Sequence, residues 1–557
     1  MALKIETIRL DKPYTIKKMG TSGLRLVQED YNRHLYLEQF AQGVAGYFLE
    51  ITGKGRVATN NRTLVIGGDP RKGNRERVRK IAEIMTGNGF RVYVANDGLA
   101  STPAMSHAIR TLEAAGGIIL TASHNPFTDV GIKINMASGA PALEDTVNRV
   151  HELQNSVTEY HTVRFEDALE AGEVEYFDAI RLYADLLDSV LDFGGMREKL
   201  RVRSGFAAAF DAMHGAAGPF AREVFVNRLG LNATILREEP REDLGGFDAH
   251  GDPLHPEPDF DYIPELISLN SSGEFDLVAA WDSDVDRRLD GGKGFFVESA
   301  DEFALFSMYA DLIGLGRLFP NEIFFGRSTV TAGTIDLMQE HLQKKFPEHK
   351  VRAVETPTGF KWIAELGNWG VEESNGVGNP YLREKDGIFA TAFLLKILLE
   401  TGKSVQELME DVWNKFGRVF FTRGEVSGSD ESEKALLTAL LESAAQHEGA
   451  RFGTLTLEKA GAWDYVHPQT GKVADKNAAY FLSFSDGNTI KARFSGTGSG
   501  GYTLRVYCTK FDTHYDRPKS PITQPMKDAF DAFLKAGGFP GQSKKYTDAN
   551  QPDPYST

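Results

Sequence analysis

An α/β fold in several domains is what the sequence predicts, and three observations carry that prediction. The chain has 557 residues, well past the size at which a single hydrophobic core stops growing, so three or four domains are expected. Short apolar runs alternate with helix-period segments, and the alternation restarts twice further along the chain. From about Phe416 the pattern changes to longer helical and strand segments, which reads as a smaller α+β domain.

The clearest alternation lies at residues 63–122. TLVIG at 63–67 is a short apolar strand, and residues 74–85 place Val78, Ile81, Ile84 and Met85 at helical spacing. RVYVA at 91–95 alternates like a strand, 103–114 reads as a helix, and 117–121 is apolar again. Strand and helix in turn with short connections predict a parallel sheet covered by helices. A second unit starts at 207–211, passes through MHGAAG into an amphipathic segment ending near Leu229, and returns as FDLVAAW at 275–281. A third runs from 322–325 through GRSTVTAGT into a helical stretch, then through 351–354 into ETPTGFKW. The fourth ends in a hairpin-like pair around RFSGTGSGG.

Composition is that of an ordinary globular protein, 41% hydrophobic and 25% charged. A net charge of −16 argues against nucleic acid as a partner, since phosphate-backbone binders are usually basic. One cysteine, Cys508, allows no intrachain disulfide and fits a reducing compartment. No run reaches membrane-spanning length, and the first residues lack the apolar core of a signal peptide. A cytoplasmic protein without membrane partners is expected.

TASHNP at 121–126 closes the apolar run Gly117–Leu120, at the carboxyl end of a predicted strand, where ligands of open α/β sheets gather. Ser123 has no G-x-S-x-G elbow around it, which disfavours a hydrolase triad. DSDVDR at 282–287 places Asp282, Asp284 and Asp286 at alternate positions straight after a strand, a spacing that suits a hard cation with oxygen ligands. An EF-hand would need glycine and glutamate where Arg287 and Lys293 stand. RFSGTGSGGYTLR at 493–505 formally matches G-x-G-x-x-G, but a strand-like segment follows it instead of a helix. Its free N–H groups, closed by Arg493 and Arg505, suit a phosphate cradle. GTSGLR at 20–25, TPTGFK at 356–361, EESNG at 372–376 and REKDG at 383–387 are each surface loops taken singly, and His214 in DAMHG reads as structural. A serine beside a three-Asp metal loop points to covalent phosphoryl transfer.

Taken in order, TASHNP, DSDVDR, EES and RFSGTGS resemble the alpha-D-phosphohexomutase family, most closely its phosphoglucomutase branch. GTSGLR, GIK at 131–133, DAMHG, GFFV, ETPTGFKW, REKDG and FGRVFFTR extend the resemblance through most of the chain. It implies four domains around a central cleft: 1–192 with the phosphoserine, 193–297 with the metal, 298–414 reading the sugar and 415–557 holding phosphate. Ser123 is implied as phosphoserine, and Asp282, Asp284 and Asp286 as holding Mg2+ together with the seryl phosphate. Thr358, Gly359, Glu372 and Ser374 are implied to read the sugar. Arg493, Ser495, Gly496, Thr497 and Arg505 are implied to clamp the non-reacting phosphate. Arg25, His124, Lys133, Arg287, Arg383 and Lys385 complete the lining, with Lys133 or His124 as general base and acid.

The implied reaction interconverts glucose 1-phosphate and glucose 6-phosphate through glucose 1,6-bisphosphate, in a monomer or weak dimer with a mobile fourth domain. A mutase for mannose or another hexose, a phosphatase, or a non-catalytic scaffold are the rivals. The metal loop of the family usually reads D-G-D-G-D and its sugar loop G-E-E-S-F-G. Here Ser283 and Val285, and Val371 and Asn375, depart from those patterns, and they bear on metal affinity and sugar choice.

Overall fold

The computed structural model describes residues 3–20, 23–53, 61–495 and 502–539 in full, and the backbone of 544–547. They fall into two compact units, Met1–Gly294 with Gly376–Gly402, and Phe295–Asn375 with Lys403–Thr557.

The first unit opens with a sheet of six strands: β1 (Leu24–Val27), β2 (Thr63–Gly68), β3 (Arg91–Leu99), β4 (Gly116–Leu120), β5 (Asp129–Met136) and β6 (Val174–Phe177), in the order β1-β5-β4-β2-β3-β6. The run β4-β2-β3-β6 is parallel, as the alternation predicts. β5 instead runs antiparallel to both β4 and β1. Only residues 121–128 join β4 to β5, too few for the crossover that parallel neighbours need. The connection that forces this reversal is TASHNPFT.

Helices α1 (Tyr36–Gly53), α2 (Asn74–Gly87) and α3 (Thr102–Thr111) cover the sheet. Val78, Ile81, Ile84 and Met85 form the buried stripe of α2, against Leu64, Ile66, Val92 and Val94 of the strands. Ser101 caps α3, its hydroxyl accepting from the Ala104 amide at 3.2 Å, and Pro103 sits in the first turn.

A second sheet in the same unit carries β7 (Ala207–Asp211), β8 (Asn232–Leu236), β9 (Leu277–Trp281) and β10 (Arg288–Gly292), with neighbours in the order β8-β7-β9-β10. β7 is parallel to β8 and β9, while β9 and β10 form an antiparallel pair joined by residues 282–287. The amphipathic segment expected to end near Leu229 is a short α-turn, Ala217–Ala221, running into a π-helix, Arg222–Arg228. α4 (Gly387–Thr401) is mostly apolar and is buried from Gly387 to Leu399, as a helix lying inside a unit must be.

In the second unit β11 (Glu322–Ser328), β12 (Lys350–Thr356) and β13 (Gly370–Glu372) pair in parallel, in the order β12-β11-β13. A separate antiparallel sheet holds β14 (Arg418–Gly428), β15 (Arg451–Phe452), β16 (Leu455–Val466), β17 (Val473–Phe484), β18 (Asn488–Phe494), β19 (Tyr502–Asp512) and β20 (Lys544–Thr547). Its order is β15-β16-β17-β18-β19-β14-β20. α5 (Lys519–Ala536) covers one face, packing Met526, Phe530 and Phe533 on Ile490, Leu504 and Val506. Cys508 fills a strand position in that core, and burial pushes its thiol up to about 12. It is a packing residue. The chain is thus a multidomain mixed α/β protein, and among the described residues no helix is long and apolar enough to cross a membrane.

Candidate active site

TASHNP follows β4 and is held by a buried network that begins at the end of the neighbouring strand β2. The Thr121 hydroxyl donates to Asp69 Oδ2 at 2.7 Å and accepts from the Ser123 amide at 2.8 Å. Arg71, with no exposed side-chain surface, pairs with Asp69 at 3.0 Å. Its Nη2 donates to the Ser123 carbonyl at 2.6 Å, and its Nη1 to the carbonyls of Asn125, Pro126 and Asp129 at 3.1, 2.9 and 3.1 Å. Ser123 is held in the left-handed region at φ 52°, unusual for a residue with a side chain. The loop is therefore fixed by partners, and its serine is presented in a conformation the chain would not adopt unaided.

The metal loop closes on itself. The Val285 amide donates to the Asp282 carbonyl at 3.1 Å and the Arg287 amide to Asp282 Oδ1 at 3.0 Å. Val285 lies at φ 68°, where glycine would sit without strain, so the replacement there does stress the backbone. Ser283 is outside that region, and its buried hydroxyl lies 2.8 Å from both the Ser123 carbonyl and Asp69 Oδ2, and accepts from Arg71 at 3.0 Å. At this position the side chain adds a tie between the two loops. DAMHG braces the same loop: a Cβ on Gly215 would stand 2.6 Å from the Ser283 Cα, and the Ala216 amide donates to the Ser283 carbonyl at 2.8 Å. REKDG braces it from the other side, the Gly387 amide donating to the Val285 carbonyl at 3.0 Å. His214 Nδ1 donates to the Glu239 carbonyl at 2.9 Å and serves the brace.

These loops bring the predicted residues together. Ser123 Oγ donates to Asp282 Oδ2 at 2.8 Å and lies 3.5 Å from His124 Nδ1. Lys133, on β5, places its ammonium 2.7 Å from Asp284 and 2.9 Å from Asp286. Lys385 lies 3.4 Å from Asp286. Arg287 reaches Glu257 at 3.3 Å. Arg25 Nη1 donates to the Thr121 carbonyl at 2.9 Å. The Arg383 amide donates to Ser106 Oγ at 3.5 Å, and burial, with Arg110 close by, lowers the pKa of the Arg383 side chain.

One oxygen from each of Asp282, Asp284 and Asp286 lies within 4.8 Å of the other two, and all three residues are buried. Burial, then the charges of Asp284 and Asp286, raise the pKa of Asp282 well above the carboxylate range. Burial opposes the charge on Lys133, but Asp284 and Asp286 outweigh it and raise its pKa. Asp284 Oδ1 and Asp286 Oδ1 are buried and accept no hydrogen bond from the described residues. Three hard oxygen donors, with Asp284 Oδ1 accepting no hydrogen bond and Asp286 Oδ1 met by the Lys385 ammonium at 3.4 Å, fit a divalent cation.

Sequence reading missed Asp69, Arg71, Thr102 and Glu384. Thr102 donates to Asp284 Oδ2 at 2.6 Å, and Glu384, between Arg383 and Lys385, is pushed up to about 7 by burial. A signal for the first two was present: GGDPR follows β2 at the same sheet edge as TASHNP.

In the second unit, the Gly359 amide donates to Glu372 Oε1 at 2.9 Å, at φ 117° for Gly359, which joins two of the predicted sugar loops. The Thr358 hydroxyl and Arg493 Nε are buried and unpaired among the described residues. Arg493 and Arg505 face each other across β18 and β19, and the Ser495 amide donates to the Thr503 carbonyl at 2.8 Å. Strands on both sides of the loop rule out the dinucleotide reading. Gly496 and Thr497 lie outside the described residues.

Known proteins share this architecture. Residues 16–161 match the family model for phosphoglucomutase/phosphomannomutase, alpha/beta/alpha domain I; 330–416 match domain III; 418–553 match the phosphoglucomutase-1 C-terminal domain. The chain is 33% identical to phosphoglucomutase-1 of Oryctolagus cuniculus, across 92% of this chain and 93% of that protein. It is 32% identical to phosphoglucomutase 1 of Drosophila melanogaster, across 99% of each. Its structure is similar to the open form of pp63/parafusin, a phosphoglucomutase from Paramecium, with a TM-score of 0.81, 30% identity and coverage of 97% of this chain and 99% of that one. The chain belongs to the phosphoglucomutase/phosphomannomutase family of phosphotransferase isomerases.

Proposed function

We propose that the chain reversibly interconverts α-D-glucose 1-phosphate and glucose 6-phosphate, with Ser123 as the phosphoryl carrier. The observation that supports this most is the placement of Ser123 Oγ 2.8 Å from Asp282, within the group of three buried carboxylates. Phosphoryl transfer leaves a protein mainly positioning and charge stabilisation to do, and fixed cations around a rigid serine loop suit that task.

In the first half-reaction the C6 hydroxyl of glucose 1-phosphate attacks the phosphorus on Ser123. The new C6 oxygen–phosphorus bond replaces the one to Ser123 Oγ, the sugar hydroxyl loses its proton, and Oγ gains one. The product is glucose 1,6-bisphosphate. After it reorients, Ser123 Oγ takes the phosphoryl group from C1: the C1 oxygen–phosphorus bond breaks, the Oγ proton passes to the C1 oxygen, and glucose 6-phosphate is left. His124, 3.5 Å from Ser123 Oγ, is the group we assign to move that proton. Lys133, ion-paired to Asp284 and Asp286, we assign to charge balance. Asp282, Asp284 and Asp286 would hold Mg2+ together with the seryl phosphate; when bound, the ion supplies Lewis-acid stabilisation of charge on the transferring group.

Thr358, Gly359, Glu372 and Ser374 are assigned to the sugar hydroxyls, and Arg493, Ser495, Gly496, Thr497 and Arg505 to the non-reacting phosphate. Arg25, Arg287, Arg383 and Lys385 are assigned to the remaining anionic surface of the substrate. The proposal divides the chain at 192, 297 and 414 into phosphoserine, metal, sugar and phosphate domains. It places the protein in the cytoplasm as a monomer or weak dimer without nucleic-acid partners. One relative, from Mesembryanthemum crystallinum, is named a cytoplasmic phosphoglucomutase.

The test is turnover of glucose 1-phosphate beside mannose 1-phosphate, with Mg2+ and a trace of glucose 1,6-bisphosphate. Rapid conversion of glucose 1-phosphate with slow conversion of mannose 1-phosphate is expected. Equal or faster mannose turnover would assign the chain to the mannose side of its family, and Val371 and Asn375 would be the residues to revert first.

A further inference from the structure

One face of the carboxyl-terminal sheet is charged. Across β18 and β19 the register sets Arg493 opposite Arg505 and Lys491 opposite Tyr507, and strand alternation puts all four on one side. Ile490, Ala492, Leu504 and Val506 point the other way, into the core under α5. Lys491 is not part of the phosphate cradle. Its Nζ lies 2.6 Å from Glu355 Oε1 and donates to Thr329 Oγ1 at 3.0 Å. The Tyr507 hydroxyl donates to Glu373 Oε1 at 3.4 Å.

The two acceptors occupy telling positions. Glu355 is the residue before Thr356-Pro357-Thr358-Gly359, and Glu373 stands between Glu372 and Ser374. Each sugar loop is therefore tied at its root to the strand pair that carries the two arginines. Glu355 is held on its own side by Arg327 at 2.9 Å, and Glu373 by Ser328 at 2.9 Å, so neither carboxylate is a loose partner. A cavity of about 280 Å³ lies beside the bridges, lined by Arg327, Thr329, Thr331, Thr489, Lys491 and Tyr507 among others. Close packing is thus interrupted there, and directional polar bridges fix the spacing.

We propose that Lys491, assisted by Tyr507, is a positioning residue that sets the distance between the sugar-reading loops and the phosphate-binding arginines. This rests on the reading of those loops given above. The chain would then gauge how far a phosphate lies from the sugar hydroxyls being read, and would hold the bisphosphate by its sugar and its non-reacting phosphate while it waits to react. Losing the bridge weakens binding of substrate and intermediate alike and leaves the machinery at Ser123 intact.

The experiment compares Lys491→Met, Lys491→Arg and Glu355→Gln with the wild-type chain, each checked by circular dichroism for a folded state. KM for glucose 1-phosphate and the glucose 1,6-bisphosphate released per turnover are measured. Lys491→Met is expected to raise KM about tenfold with kcat within about twofold, the pattern of lost uniform binding, and to release several times more bisphosphate. Glu355→Gln should move both readouts in the same direction from the opposite strand, while Lys491→Arg keeps the charge and should restore most of the affinity. A folded Lys491→Met or Glu355→Gln chain with wild-type KM and wild-type bisphosphate release would overturn the proposal. A wild-type chain inactive on every phosphosugar would overturn the functional reading instead.

Discussion

Arg71 shows how a single residue fixes the loop that carries Ser123. Its guanidinium contacts Asp69, the Ser123 carbonyl, the Ser283 hydroxyl and three further carbonyls, all inside the protein. A planar fork of five donors can meet that set, whereas a lysine ammonium with three cannot. Replacing it by methionine leaves the Asp69 carboxylate, which has no exposed side-chain surface, without its counter-charge. Arg71→Met is expected to cost about 3–5 kcal/mol of stability, the range for breaking a buried pair from one side; urea unfolding measures it. A loss below about 1 kcal/mol would mean that the network does not carry the loop. Ser123→Ala, by contrast, removes one hydroxyl that donates to Asp282. The expected outcome is a folded chain whose mutase turnover falls by about 10³-fold or more, as for loss of a covalent nucleophile. Ser123 and the three aspartates were legible because reactive residue types stood in compact motifs at strand ends. Arg71 was not, because its role is to satisfy carbonyls, and no side-chain pattern announces which carbonyls a fold will leave unpaired.

Among the elements, α4 couples stability to pH through its cap. Asp386 is the N-cap of this helix, accepting from the Phe389 amide at 3.0 Å and from Asn379 at 3.0 Å, and Tyr183 also donates to it. Burial pushes its carboxyl up to about 6, hydrogen bonds notwithstanding. An unfolded aspartate titrates near about 4, so between about pH 4 and pH 6 the folded chain keeps a proton that the unfolded chain releases. The stabilisation from this group is complete below that window and is lost as pH rises through it, by up to about 3 kcal/mol. Asp386→Asn removes this titration. The wild-type chain should therefore lose stability relative to Asp386→Asn from about pH 4 to pH 6, in parallel denaturant titrations. A constant difference across that range would contradict the assigned pKa. Elements themselves were largely legible: the alternation of Thr63–Gly68, Asn74–Gly87, Arg91–Leu99, Thr102–Thr111 and Gly116–Leu120 is visible in the apolar spacing. The antiparallel turn of β5 was not anticipated, since strand direction depends on the length of a loop that was read for its chemistry. The π-helix at Arg222–Arg228 leaves no periodic signal in so short a stretch.

Over the whole molecule, Ser123 and the three buried aspartates lie in the first unit, and the loops proposed to read the sugar lie in the second with Arg493 and Arg505. A chain with a net charge of −16 can still receive the proposed anionic substrates, because cations such as Lys133 and Lys385 stand beside the three aspartates. The order of motifs along the chain was enough to identify the family. The bridges from Lys491 and Tyr507 to Glu355 and Glu373 were beyond sequence reading, since strand pairing joins residues far apart in the chain. The central claim is that Ser123 carries the phosphoryl group, and its most direct test is peptide mapping by mass spectrometry. The chain is incubated with glucose 1,6-bisphosphate and Mg2+, digested, and compared with a Ser123→Ala chain treated in the same way. The account predicts a phosphoryl group on the peptide containing Ser123 and none on the corresponding peptide of the variant. Phosphate on another residue, or none at all in a chain that still turns over substrate, would contradict it.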